Sequence, residues 1–214
     1  MIKICNKYLH SFIKAIAAGI CISLGCIINL YIDNKYLGAF LFSIGLLAIL
    51  SYKFNLYTGK IGFICDYPDV LYVIELFIIW IGNLIGTLLT AILISYTRIY
   101  HIIYDKAIVL TYNKMHDDIL SLLILAIFFG ICMYVAITQF VAEDKPTMKN
   151  CIVVILSIMV FILSGFEHCV ADMFYFAIAD RYVDFKILER LLIITAGNSI
   201  GSIVFALINR KQKQ

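Results

Sequence analysis

The segment from Cys151 to Ala179 is apolar except near its middle. There Ser164-Gly165-Phe166-Glu167-His168-Cys169-Val170-Ala171-Asp172 brings Glu167, His168 and Asp172 together. The run exceeds the ~20 residues with which a helix crosses a bilayer. An ionisable side chain at that depth costs ~3 kcal/mol by insertion scales, and it persists only where it faces a protein interior or a water-filled path. The segment therefore predicts a polar site buried in a membrane protein, at an interruption in a helix.

The remaining sequence agrees. Of 214 residues, 63% are hydrophobic and 14% charged, against about 25% charged in a soluble domain; the mean hydropathy is +0.98. With two prolines and no low-complexity linker, residues 1–214 read as a single transmembrane domain. Lys3, Lys7 and Lys14 open the chain and Arg210, Lys211 and Lys213 close it, with no acid in either group. That bias predicts both termini in the cytoplasm, and hence an even number of spans. No small-residue cleavage site follows the first apolar run, which reads as a retained span. The seven cysteines have no paired spacing and read as small buried hydrophobes with free thiols, not as a disulfide framework or zinc site. The small net charge of +3 gives no reason to expect a nucleic-acid partner.

Apolar runs bounded by polar residues predict six spans, near 12–32, 37–65, 70–97, 119–142, 151–179 and 191–208. The second, like the fifth, is overlong, and Ser51-Tyr52-Lys53-Phe54-Asn55 and Thr58-Gly59-Lys60 interrupt it. Asp66-Tyr67-Pro68-Asp69 predicts a turn, residues 98–118 a polar connection, and 180–190 a polar loop. Spans three and six carry the same G-N-x-I-G pattern, as Gly82-Asn83-Leu84-Ile85-Gly86 and Gly197-Asn198-Ser199-Ile200-Gly201. Each is also a GxxxG, which lets two helix backbones approach closely. Three spans per half invert the second half relative to the first, so two broken helices meet from opposite sides of the midplane. Irregular backbone at that depth must line a cavity or be buried in protein. An all-α membrane protein with a path centred near Leu56–Thr58 and Phe166–His168 is the expectation.

At these residues the chain resembles the formate/nitrite transporter family of pentameric anion channels. Ser164-Gly165-Phe166-Glu167-His168, with Ala171 and Met173-Phe174, is similar to the family's S-G-F-E-H-x-x-A-N-M-F. Asn55-Leu56-Tyr57-Thr58-Gly59 is similar to its E-L-F-T-G, and Gly197–Gly201 to its G-N-x-I-G. Lys114 and His116 match a K-x-H that marks the outer vestibule in relatives. The resemblance implies an aquaporin-like six-helix protomer with one pore per subunit of a homopentamer, and no cofactor. By position it makes His168 the central pore histidine, Thr58 its polar neighbour and Asn198 a residue that orients them. It places Leu56, Phe161 and Met133 at an outer apolar constriction and Tyr57 at an inner one. The chain departs from the family pattern at Gly130, where relatives often have Asn, at Asp172 for Asn, and at Lys60 for Asn.

Physical chemistry then suggests how such a pore works. Stripping a carboxylate of water costs several kcal/mol in real proteins, whereas protonating an acid of pKa near 4 at pH 7 costs ~4 kcal/mol. A proton donor at the constriction therefore favours passage of the neutral acid, and histidine alone has an unperturbed side-chain pKa near neutrality. His168 is the expected proton relay for a small monovalent anion: formate or nitrite first, hydrosulfide or a short monocarboxylate as alternatives. Lys114 and Lys60 are expected to attract anions at the vestibules, and Glu167 to serve the loop's structure. A proton-coupled transporter with alternating access would use the same repeats. An enzyme or metal site would need a nucleophile–base pair or a third ligand, and no such motif is present.

Overall fold

The computed structural model describes residues 2–143, 145–179 and 185–211, so Asp144 and residues 180–184 of the expected polar connections lie outside the described residues. Nine α-helices form among them: α1 Ile2–Tyr31, α2 Lys35–Ser51, α3 Tyr57–Lys60, α4 Val70–Ile94, α5 Tyr100–His116, α6 Ile119–Val141, α7 Met148–Ser164, α8 Cys169–Ala179 and α9 Phe185–Lys211. α1, α4, α6 and α9 are each long and apolar enough to cross a membrane, and α7 with α8 makes a fifth crossing bent by 50°. α2 is a shorter apolar helix, continued by α3 and a 3-10 turn over Ile61–Cys65. Together these are the six crossings of a six-helix protomer whose second and fifth helices are broken.

The contacts fix the direction of each crossing. Tyr8 donates to the Leu71 carbonyl, Ser11 to Glu75, and Asn83 to the Ala15 carbonyl, so α1 and α4 run parallel from one face, called near, to the far face. Asn198 donates to the Ala126 carbonyl, Ser202 to Gly130 and Asn209 to Tyr134, so α6 and α9 are parallel as well. Their direction is opposite. Lys106 of α5 pairs with Asp33 just beyond the far end of α1, and Arg190 near the start of α9 donates to Met115 at the end of α5. At the near face Arg210 donates to Cys65. The second half is thus an inverted copy of the first.

Close packing within each half depends on the glycines of the repeated motif. A Cβ at Gly82 would fall 2.6 Å from that of Ala15, and one at Gly86 would run into the Ile16 carbonyl. At Gly197 it would fall 2.5 Å from the Ala126 Cβ, and at Gly201 it would strike the Ile127 carbonyl.

Two expectations about the elements need correction. Residues 100–116 form a helix, because Tyr100, Ile103, Ala107 and Thr111 recur at helical spacing and are buried beneath the polar residues. Thr58-Gly59-Lys60 is no break but the body of the short α3, which begins at Tyr57; the interruption is confined to residues 52–56. The Asp66–Asp69 turn is present, and Asp69 caps α4 by accepting from the Leu71 N–H. Cys21, Cys26, Cys65, Cys132, Cys151 and Cys169 are free thiols.

Candidate functional site

The two interruptions are built alike. α2 ends with Lys53 in the left-handed region at φ 55°; the Phe54 N–H donates to Ile49 and that of Lys53 to Leu50. α7 ends with Gly165 at φ 67°; the Phe166 N–H donates to Phe161 and that of Gly165 to Ile162. These are the paired bonds of a Schellman motif, which satisfy the last carbonyls of each half-helix. Three non-helical residues follow in each case, 54–56 and 166–168, and then the next helix begins.

One asparagine clamps each interruption. The Asn83 amide donates to the Ala15 and Asn55 carbonyls while its oxygen accepts from the Tyr57 N–H. The Asn198 amide donates to the Ala126 and Glu167 carbonyls while its oxygen accepts from the Cys169 N–H. Both side chains are fully buried. Backbone polar groups with no water at hand must find partners inside the protein, and each amide serves three of them. Asn198 therefore touches the backbone on both sides of His168, not the ring. By this correspondence Leu56 and His168 occupy equivalent places in the two halves.

The tips meet where Thr58 Oγ1 and His168 Nε2 form a 3.1 Å hydrogen bond. His168 is 1% exposed. Its ring stacks on Phe129, with centroids 4.2 Å apart and planes 17° apart, and meets the edge of Phe161 at 5.9 Å. Nδ1 has no hydrogen-bond partner among the described residues. α8 begins at this point, so the partial positive end of its dipole lies beside His168.

The other expected residues surround this junction. Leu56, Phe161 and Met133 are buried in the core, and Phe161 packs edge-on against Phe129 and Phe42. The Tyr57 hydroxyl pairs with Ser199 at 3.0 Å. On the far side of Phe161 opens a cavity of about 540 Å³ that Lys114, Glu167, Asp172, Tyr175 and Phe166 also line. Lys114 Nζ forms an ion pair with Glu167 and another with Asp172, the latter at 3.0 Å. His116 is exposed, its ring stacked on Tyr112. Lys60 is half-buried at the end of α3, where its carbonyl accepts from the Tyr72 hydroxyl, and Lys53 is exposed on its turn.

Gly130 contacts the α9 backbone: an added Cβ would strike the Asn198 carbonyl and sit 3.0 Å from the Ser202 nitrogen. Sequence reading missed the stacking of Phe129 on His168 and the joining of Lys114 to both acids. The spacing of Glu167 and Asp172 about the start of α8 was the available signal for the second, but the lysine comes from a distant helix.

Comparison with known proteins fits this geometry. The sequence pattern of the family described as formate/nitrite transporter matches residues 1–210. Among solved structures the chain is similar to a pentameric formate channel with formate bound, with a TM-score of 0.77 and 20% identity over 97% of this chain and 98% of that one. It is also similar to an FNT family ion channel, with a TM-score of 0.82 and 22% identity over 98% of this chain and 92% of that one. No curated protein matches it.

Proposed function

Since the chain belongs to the formate/nitrite transporter family, we propose that it is a channel for a small monovalent anion, formate or nitrite, that crosses the centre as its conjugate acid by a proton relayed through His168. The observation that carries this reading is one imidazole buried where two broken helices meet, with Nε2 bonded to Thr58 and Nδ1 without a partner among the described residues. A site of this form can hydrogen-bond a passing oxyanion or its acid at Nδ1 while Thr58 fixes the ring.

Phe161, Met133 and Leu56 form the apolar constriction on the far side and Tyr57 narrows the near side. In such surroundings an ion is penalised more heavily than a neutral acid, so the proton decides passage. Lys60 adds positive potential on the near side. Lys114 supplies ammonium donors to the far cavity, and its pull on an anion depends on how many protons Glu167 and Asp172 carry. Hydrosulfide fits the same scheme, being the anion of a weak acid.

The proposed assembly is a homopentamer with one path per protomer, in keeping with the pentameric state of the similar formate channel. Its setting is a bacterial cytoplasmic membrane with the near face and both termini in the cytoplasm.

The test is uptake into proteoliposomes. Native protein should take up formate or nitrite faster as the outer pH falls, beyond the rate of protein-free vesicles, and His168→Phe should abolish the pH-dependent component. A panel with hydrosulfide and lactate ranks the substrates. An unchanged pH dependence in His168→Phe would remove the histidine from the mechanism.

A further inference from the structure

The charges around Lys114 do not balance. One ammonium meets two carboxyl groups, and the side chains of Lys114, Glu167 and Asp172 are only 11%, 7% and 1% exposed. Water screens charges at such a site poorly, and an unmatched buried charge is strongly unfavourable. The Glu167 and Asp172 carboxyls are held close together by their common ammonium, and Asp172 Oδ2 has no hydrogen-bond partner among the described residues. Ionised carboxylates only accept hydrogen bonds, so without a proton the two offer each other only repulsion. Carboxyls forced together in this way hold one proton between them.

Among the described residues no cation besides Lys114 lies within ion-pair distance of the two carboxyls. On α5, His116 bonds back to the Tyr112 carbonyl, and beyond it Asp117 accepts from Ser121. On α9, Arg190 donates from Nη2 to the Met115 carbonyl, while its Nε and Nη1 have no partner among the described residues. On α1, the Cys26 thiol donates to the Ala171 carbonyl, and Asn29 lines the cavity. α7 contributes Phe161 and Ile162, and α8 adds Tyr175. His168 and Cys169 sit at the start of α8, and α4 packs on α8 beside the apolar Trp80, Leu84 and Leu88.

We propose that Glu167 and Asp172 share one proton at neutral pH, making their cluster with Lys114 electrically neutral and a proton-binding site on the wall of the far cavity. Loss of that proton leaves the cavity with one net negative charge, which repels an approaching anion. The proton site stands on the cluster's geometry; only its effect on flux rests on the transport reading above.

Infrared spectroscopy of the full-length protein in lipid tests it without any substrate. The native protein should show the carbonyl stretch of a protonated carboxyl group at neutral pH, lost on alkaline titration. In Asp172→Asn, which keeps the shape and leaves Glu167 to pair with Lys114, that band should be missing while the assembly elutes from size exclusion as the native one does. Lys114→Met should strengthen the band, since both carboxyls then take protons. Native and Asp172→Asn spectra that agree at neutral pH would overturn the proposal, as would an unchanged band in Lys114→Met. Both carboxyls would then be ionised, with a bound monovalent cation meeting the surplus. In proteoliposomes Asp172→Asn should lessen the fall of anion uptake with rising outer pH. Failure of the infrared result leaves the transport reading intact, and the reverse also holds.

Discussion

Lys53 and Gly165 hold the same place in the two halves, the left-handed residue that closes a half-helix. A non-glycine residue there costs roughly 1–2 kcal/mol through its Cβ, and only Gly165 avoids it. Lys53 is exposed and its side chain has no hydrogen bond or ion pair among the described residues, so its charge does not compensate. Lys53→Gly should therefore raise stability by about 1 kcal/mol, read as a higher thermal midpoint of the detergent-solubilised protein with uptake unchanged. A lower midpoint would show that the lysine contributes something this turn does not reveal. Ser51–Asn55 was recognisable as a break from its polar residues alone. The need for a left-handed residue at Lys53 was not, because lysine carries no sequence signal for that conformation.

At the scale of elements, the pairing of α6 with α9 leaves no room for a side chain at Gly130. The family pattern that the sequence resembles suggests Asn there, and by composition alone Gly130→Asn would place a polar group beside His168. In this chain it should instead push α9 away from α6 and lower stability by about 1–3 kcal/mol, the usual range for overpacking. The thermal midpoint and the proportion of intact oligomer on size exclusion are the readouts; a variant as stable as the native protein would mean that the helices can separate freely. The repeated G-N-x-I-G was readable as a close-packing motif, since glycine at that spacing has an evident use. The helix over residues 100–116 was less readable, because polar residues on its outer side dilute an apolar face only four residues deep.

The whole molecule is two copies of one design set head to tail, and the asparagine clamps give that symmetry a measurable form. Asn83 and Asn198 make the same three backbone bonds in their own halves. Replacing either by Ala leaves a loop carbonyl and one N–H without the clamp's bonds, and takes a second bond from a helical carbonyl, at a cost of about 2–4 kcal/mol. Asn83→Ala and Asn198→Ala should destabilise alike in a thermal assay, and Asn198→Ala should also slow uptake, because its loop carries His168. Markedly unequal losses would show that the halves are not energetically equivalent. The outer surface follows from the same plan: only 33–44% of residues in the most apolar window of each long span are buried.

The sequence by itself determined the membrane class, the six crossings, the two interruptions and the histidine at the second of them. Each follows from a local rule: apolar length sets a span, and polar residues inside it mark where the helix cannot continue. Tertiary structure alone decided what His168 touches, how Asn198 acts, and that Lys114 on α5 must serve Glu167 and Asp172 together. Those outcomes depend on which helices lie side by side in three dimensions, and residues far apart along the chain give no periodic signal of the charge they will share once buried.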